Sequence, residues 1–178
     1  MEQNRKNESL QSNQNRNTWV KKRLTEAFLQ LLEEKDLEEI SISELCSRAE
    51  VGRTSFYRNY EDKKDILREY LGRLSDSLFR NPEAKLSGSL ADLIDVLFTH
   101  LEKNRDFYGL LYRRHQTDLI KEELLKECGY NPEQEIHAAY ASSFTGFFIY
   151  GWIETWLRRG MKDSKEQILD CLPKRQPD

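Results

Sequence analysis

The chain has 178 residues, of which 38% are apolar and 33% charged, and its formal net charge is −3. This composition is typical of a folded, polar protein with room for a sizeable core. No stretch has the roughly 18 apolar residues of a membrane span, and the start lacks the apolar segment of a secretory signal. Cysteines at positions 46, 128 and 171 are too scattered for a disulfide framework or a zinc site. We therefore expect a cytoplasmic protein with no metal, no cofactor and no membrane partner.

The first residues differ in composition from the rest. Residues 1–17 contain five Asn and three Gln, with one apolar residue after the initial Met. Residues 1–23 carry six basic and two acidic side chains, a net charge of +4, which leaves −7 for the remainder. The low apolar content predicts a disordered basic arm over residues 1–17.

Helical spacing begins at Trp19. Apolar residues at positions 20, 24, 27, 28, 31 and 32 form one stripe, which predicts an amphipathic helix. We expect this helix to end near Lys35, with Asp36 in the left-handed conformation that Gly usually adopts after a helix.

Two short helices are predicted next. Ser41 and Glu44 have the spacing of a capping box at a helix start, and Gly52 breaks the pattern after it. A third helix runs from about 53 to 60, with Phe56 and Tyr60 on its inner face. Three short helices, with a tight turn between the second and the third, describe a helix-turn-helix.

The other faces of the third helix carry polar and basic side chains. Such side chains donate hydrogen bonds to base edges and phosphate oxygens, and an arginine can bind guanine through two bonds at once. An ordinary polar helix face has the same chemistry, and the side chains alone leave both interpretations open. The candidate residues are Arg53, Thr54, Ser55, Tyr57, Arg58 and Asn59.

The rest of the chain is also predicted to be helical, so the expected fold class is all-α. A fourth helix is predicted from Asp62, with Asp65 as the partner of its cap, and residues 81–88 read as a loop. Gly129 and Gly160 are expected to end two of the later helices. Those later helices are predicted at about 90–101, 107–111, 119–125, 132–159 and 164–172.

Aromatic residues recur on successive helices of this second half. A largely apolar cavity with a few polar groups is the usual site for a small molecule, and core packing is the alternative for each residue taken singly. The predicted effector pocket comprises Phe98, Phe107, Tyr108, Tyr112, Tyr140 and Phe144.

The long helix from about 132 to 159 has no charged residue between Ala138 and Ile153. A helix that is apolar all round must be covered on every side. We expect Tyr140 and Phe144 to pack into their own domain and a second copy of the chain to cover the other side. The predicted dimer interface comprises Phe148, Ile149, Trp152, Trp156 and Ile168.

One segment resembles a known family. Residues 42–60 read Ile-Ser-Glu-Leu-Cys-Ser-Arg-Ala-Glu-Val-Gly-Arg-Thr-Ser-Phe-Tyr-Arg-Asn-Tyr and continue into Glu-Asp-Lys. This run is similar to the DNA-binding domain of the TetR family of transcriptional regulators, and the likeness extends over about 18–70. Residues 147–161 resemble the ligand and dimerisation half of a subset of that family common in Gram-positive bacteria. The resemblance implies a helix-turn-helix domain at 18–64 and a helical effector-binding and dimerisation domain at 65–178.

The resemblance also implies which residues touch DNA. Arg53, Thr54 and Tyr57 match positions that contact base edges. Lys63 matches a phosphate contact, which would explain a cation in the first turn of the fourth helix, where the helix dipole disfavours it. The remaining phosphate positions are matched by Ser43, Ser55 and Asn59.

Three positions depart from the family pattern. Glu50 stands where a Gly usually follows the second helix, and a positive φ there costs about 1 kcal/mol relative to Gly. Gly52 stands where Ser or Thr usually caps the third helix, and Asn59 stands where His is common. These departures affect the turn geometry and remove no side chain that could contact bases.

The function implied by the resemblance is sequence-specific regulation of transcription. A homodimer would bind double-stranded DNA at a pseudo-palindromic operator, as a repressor released by a small-molecule effector. The alternative is an adaptor or co-activator of the same fold that acts through protein contacts without binding an operator. The basic arm would either enter the minor groove or only increase solubility.

An enzyme is not expected. His100, His115 and His137 are spread over the second half of the chain, without a metal-binding or nucleophile motif around them. Packing and surface positions account for all three.

Overall fold

The computed structural model describes residues 2–79 and 89–172, with side chains for 14–78 and 89–172. These residues form nine α-helices and one 3₁₀ turn without any strand, which confirms the all-α class. The chain divides into two compact units, residues 1–70 and 71–178. The helices are α1 (Glu2–Glu34), α2 (Ile42–Ala49), α3 (Arg53–Asn59), α4 (Lys64–Phe79), α5 (Leu90–Lys103), α6 (Arg105–Arg113), α7 (Asp118–Glu127), α8 (Ile136–Arg158) and α9 (Lys165–Asp170).

The sequence also predicted a loop at residues 81–88 and no membrane span. The loop predicted at residues 81–88 lies outside the described residues. Among the helices given above, none combines the length and the apolarity that crossing a bilayer requires.

Helix α1 begins earlier than the composition predicts. It includes residues 2–17, for which the sequence predicted a disordered arm, and this corrects the arm prediction. No Gly or Pro interrupts residues 2–34, and each residue added to an existing helix gains a backbone hydrogen bond for little further cost. Val20 is the first buried position among residues 14–34. The helical segment 14–19 therefore has no role in packing the core.

The first unit is built around the C-terminal half of α1. Leu24, Phe28 and Leu31 of α1 are fully buried, together with Leu45 of α2 and Phe56 of α3. Helix α1 packs on α2 and α3, and α2 packs on α3. This three-helix arrangement is the predicted helix-turn-helix.

The connection from α1 to α2 differs from the prediction. Asp36 has an extended backbone (φ −72°, ψ 154°) and not the left-handed conformation, because a 3₁₀ turn at Leu37–Glu39 starts directly after it. Ser41 caps α2 as predicted, with its Oγ accepting from the Glu44 N–H at 3.1 Å. The Glu44 carboxylate accepts a bond from Lys35 Nζ at 2.6 Å.

The turn between α2 and α3 contains the departure at Glu50. Glu50 adopts the left-handed conformation (φ 57°, ψ 38°) at the end of α2. Arg23 of α1 holds this turn, since its Nε donates to the Ala49 carbonyl at 3.2 Å and its Nη2 donates to the Glu50 carboxylate at 2.7 Å. The two bonds from Arg23 of α1 thus stabilise Glu50 in the left-handed conformation that glycine usually occupies.

We expect Glu50→Gly to stabilise the first unit. The substitution removes a left-handed strain of about 1 kcal/mol and loses an exposed ion pair worth a few tenths, so the free energy of unfolding should rise by about 0.5 kcal/mol. Urea denaturation measures this change. Glu50→Ala is the matched control, because it removes the carboxylate and keeps the strain. Equal effects of the two substitutions would contradict the strain at this position.

In the second unit, α8 packs on α6 and α7, while α5 packs on α6 and α9. Gly146 marks the crossing of α8 and α7, because a Cβ there would lie 2.8 Å from Leu125 Cδ2. Ile149, Ile153 and Trp156 follow on the same side of α8 and are buried. Gly146 therefore lies on the inward face of α8, where a larger side chain would meet Leu125.

The start of α8 also differs from the prediction. The helix begins at Ile136 and not at Pro132, because the Glu135 carboxylate caps it by accepting from the His137 and Ala138 N–H groups at 3.0 and 3.3 Å. Gly129 and Gly160 follow helix ends with φ of 72° and 73°, as predicted.

Candidate functional site

Helix α3 separates its side chains into a buried face and an exposed face. Phe56 and Tyr60 are buried, as predicted, and Ser55 and Asn59 are half-buried at the border. The Asn59 Nδ2 donates to the Ser55 carbonyl at 2.8 Å, so part of its amide is used within the helix. The exposed side chains are Arg53, Thr54, Tyr57 and Arg58.

Tyr57 is the exposed aromatic side chain of this face, with 53% of its surface accessible. Its ring meets the buried ring of Phe56 edge-on, with centroids 5.3 Å apart. This contact holds one side of the tyrosine ring, and about half of the residue remains exposed. On α2, Ser43 is also exposed.

The basic side chains of residues 14–70 fall into two groups. Most of them form ion pairs within the unit. The pairs are Lys21 with Glu69, Lys22 with Glu26, Arg23 with Glu50, Lys35 with Glu44, Arg48 with Glu34, and Arg68 with Asp65.

The second group forms no ion pair with any residue that the structure describes. It comprises Arg16, Arg53, Arg58, Lys63 and Lys64, and of these Lys63 donates to backbone carbonyls instead. Three of these cations lie on α1 and α3, at or beside the exposed face of α3. The charge of these three cations is available to an anionic partner. The charge of the paired group is neutralised by carboxylates of the same unit.

Lys63 has a different environment from the predicted one. Helix α4 begins at Lys64, so Lys63 precedes its first turn. The Lys63 ammonium donates to the carbonyls of Leu37 and Ile40 at 2.5 and 2.7 Å, and a third carbonyl, that of Glu38, lies at 3.5 Å. A cation at this position is therefore explained by capping the 3₁₀ turn between α1 and α2.

Asp65 bonds back to the residues before α4, as predicted for the partner of its cap, although the helix begins at Lys64 and not at Asp62. The Asp65 Oδ2 accepts from the backbone N–H groups of Asp62 and Glu61 at 2.9 and 3.1 Å. The Asp62 amide bond, together with the Arg68 guanidinium, holds the pKa of Asp65 below its usual value. The ionised carboxylate therefore fixes the turn that presents Lys63.

The six residues predicted as an effector pocket do not line one cavity. Phe98, Phe107 and Tyr108 are buried in the packing of the second unit. Tyr112 is exposed, and Tyr140 and Phe144 are 74% and 73% exposed on the outer side of α8. The prediction of their shared pocket is wrong, because recurrence of aromatic residues does not show which face of each helix they occupy.

Among the described residues, the interior of the second unit holds one small void beside Tyr108. It has a volume of about 20 Å³ and is bordered by Tyr108, Ser75 and Glu123 among mostly apolar residues. The Tyr108 hydroxyl lies 3.0 Å from His100 Nε2, and burial lowers the pKa of His100. A void of this size cannot hold an organic molecule, which needs roughly 300 Å³.

The two faces of α8 are reversed relative to the prediction. Ile149 and Trp156 were expected at a dimer interface but are buried in their own unit, and Trp156 Nε1 donates to the Asp163 carbonyl at 3.1 Å. Ile168 of α9 is also buried. Phe148 and Trp152 are half-buried at the surface of the unit.

An exposed apolar stripe runs along the outer side of α8. Phe144, Phe148 and Trp152 follow one another at four-residue intervals, with ring centroids 6.2 and 5.9 Å apart. We call this surface the α8 stripe, and its residues are Ile136, Tyr140, Phe144, Phe147, Phe148 and Trp152. At its C-terminal end the stripe enters an open groove of about 730 Å³ between α8 and α9. An apolar surface of this kind marks an interaction site.

No three His, Cys, Asp or Glu side chains of the described ranges are placed to hold a metal ion together. Cys46 is buried in α2, and burial raises the pKa of its thiol, as expected of a packing residue.

Comparison with known proteins gives two family matches. The model of bacterial regulatory proteins of the tetR family matches residues 24–70, and a model described as a transcriptional regulator C-terminal region matches residues 88–174.

Two individual proteins are similar to this chain at low sequence identity. The uncharacterised HTH-type transcriptional regulator YxbF of Bacillus subtilis (strain 168) is 24% identical over 159 residues, which cover 80% of this chain and 41% of that protein. The chain thus spans about two fifths of the length of this relative. Among solved structures, the dihydroxyacetone kinase operon activator DhaS is similar with a TM-score of 0.49 and 15% identity, over 85% of this chain and 90% of that one.

Proposed function

This chain belongs to the TetR family of bacterial transcriptional regulators, and on that premise we propose that α3 reads the base sequence of an operator in double-stranded DNA. The observation that supports this most is the set of cations on α1 and α3 that no carboxylate of the described residues neutralises. A surface built for packing or for an acidic protein partner alone would not also need an exposed aromatic ring on the same face of α3. The proposed role implies a cytoplasmic location and no catalytic step.

Selection from randomised duplexes tests the proposed operator. A two-fold dimer presents two copies of α3, so the enriched sequences should be pseudo-palindromic, with half-sites about one helical turn apart. Enrichment of no common sequence, by protein of verified fold, would favour the alternative role of an adaptor or co-activator without operator binding.

We expect Tyr57→Ala to weaken binding to the selected operator by about 1–2 kcal/mol and to leave binding to random-sequence duplex nearly unchanged. The reason is that the exposed ring of Tyr57 can reach a base edge or a thymine methyl group. Fluorescence anisotropy with both duplexes measures the difference. Tyr130→Ala, at an exposed tyrosine of the second unit, is the matched control. Equal losses on the two duplexes would argue against base contact by Tyr57.

We further propose that the protein is a homodimer and that the α8 stripe is its interface. A row of exposed aromatic rings is costly to leave in water. A second copy brings the same stripe, so that each covers the other around a two-fold axis. One helix-turn-helix makes few DNA contacts, and two linked copies multiply their effect.

We also propose that the protein is a repressor and that a small-molecule effector releases it from its operator. In the proposed dimer the second copy occupies the groove between α8 and α9, so an effector would have to open the interior of the unit around Tyr108 and Glu123. An effector acts by binding the conformation with low DNA affinity more tightly. Thermal-shift screening of metabolites finds candidates, because a ligand of the folded state raises the melting temperature. Ligands that raise it without changing operator affinity would contradict the regulatory role.

A further inference from the structure

A polar cleft lies between α1 and α3 of the first unit. It has a volume of about 460 Å³ and is lined by Arg16 and Asn17 of α1 and by Thr54, Ser55 and Arg58 of α3, among others. Every one of these five side chains carries a hydrogen-bond donor, and no carboxylate is among the lining residues. The cleft therefore suits an anion.

The cations of the cleft are not used by the fold. Neither Arg16 nor Arg58 forms an ion pair with a residue that the structure describes, whereas Lys21, Lys22 and Arg23 of α1 are all paired. The segment of α1 that carries Arg16 is also exposed at every position from 14 to 19. Core packing thus explains neither this turn of α1 nor the charge on it.

We propose that this cleft holds one phosphodiester group of the DNA backbone, with the Arg16 and Arg58 guanidiniums on its two sides. Guanidinium groups and hydroxyls are the usual ligands of phosphate oxygens. Thr54 and Arg58 belong both to the cleft and to the exposed face of α3, so an anion in the cleft lies next to the surface that reads the operator. The α1 extension is then a positioning element that fixes α3 on the duplex. This inference rests on the proposed DNA binding and adds to it a contact from outside the helix-turn-helix.

The test compares Arg16→Gln with Lys22→Gln. Both substitutions remove one positive charge from α1, but Lys22 pairs with Glu26 and does not line the cleft. Binding of each variant to the selected operator and to a random-sequence duplex is measured across a range of KCl concentrations. Melting temperatures verify that both variants remain folded, which is expected because both side chains are exposed.

Arg16→Gln should weaken binding to both duplexes by the same factor and should reduce the slope of log K against log salt by about 0.9, the value for one phosphate. Lys22→Gln should leave the slope unchanged. An unchanged slope for Arg16→Gln, in a protein that binds its operator, would overturn the phosphate contact and leave the proposed function intact. Failure of the wild-type protein to bind any duplex would overturn both.

A free anion is the other possible occupant. Inorganic phosphate is therefore titrated at constant ionic strength against wild type and Arg16→Gln. Phosphate binding that depends on Arg16, combined with an unchanged slope on DNA, would assign the cleft to a small anion and overturn the proposal. A reduced slope supports the DNA phosphate, whether or not inorganic phosphate competes for the cleft.

Discussion

Phe144→Glu is expected to convert the proposed dimer into a folded monomer. The side chain is 73% exposed at the middle of the α8 stripe, so glutamate is tolerated in the isolated chain. In the dimer the same carboxylate would be buried without a partner, which costs several kcal/mol. Light scattering should then give 21.2 kDa, the mass of one chain, in place of twice that value. Operator affinity should fall by about 10²- to 10⁴-fold, because two linked reading helices become one.

Thr145→Glu is the matched control for this substitution. It adds the same charge one residue away, at an exposed position that lies outside the α8 stripe. Far-UV circular dichroism should show the same helical content for both variants. A Phe144→Glu protein that remained a dimer would reject the α8 stripe as the interface, and a monomer with undiminished operator affinity would reject the need for dimerisation.

Trp156→Glu cannot serve the same purpose, although the sequence pattern suggests it. Trp156 is 2% exposed, meets Phe98 edge-on at 5.9 Å and donates to the Asp163 carbonyl. A glutamate there would leave a buried charge inside the unit itself and unfold it. Loss of dimerisation would then report the loss of the fold and not the position of the interface.

These two positions show why the faces of α8 could not be predicted from the sequence. Amphipathic helices identify their inner face by a polar outer face, and α8 has no charged residue between Ala138 and Ile153. The inner face is the one on which Gly146 meets Leu125 of α7. A contact between two helices is not contained in the periodicity of either helix.

The two faces of α3, in contrast, could be predicted from the sequence. Phe56 and Tyr60, four residues apart, identify its inner face, and the exposed positions of Arg53, Thr54 and Tyr57 follow from the helical period. The same argument could not identify Arg16 as a neighbour of α3. Residues 1–17 have almost no apolar positions, and without an apolar stripe the sequence offers no sign that α1 continues through them.

Lys63 is the last case, since two roles compete for one side chain. The family resemblance implies a phosphate contact, and the geometry supports a cap on the carbonyls of Leu37 and Ile40. A phosphate contact would contribute to DNA affinity and little to folding. A cap would contribute to folding, because carbonyls bonded to an ammonium in a half-buried site lose charge-assisted bonds when it is removed.

We expect Lys63→Met to lower the free energy of unfolding of the first unit by about 2–3 kcal/mol, since bonds to a charged donor contribute about 1.5–3 kcal/mol. Methionine keeps the length of the side chain and removes only the ammonium. Lys64→Met is the matched control, because Lys64 is also half-buried and forms no ion pair with a described residue. The control should change the stability by less than about 0.5 kcal/mol. Urea denaturation measures both variants, and the salt dependence of operator binding, corrected for the folded fraction, should be the same for Lys63→Met and wild type. Unchanged stability together with a slope reduced by about 0.9 would instead assign the Lys63 ammonium to a DNA phosphate.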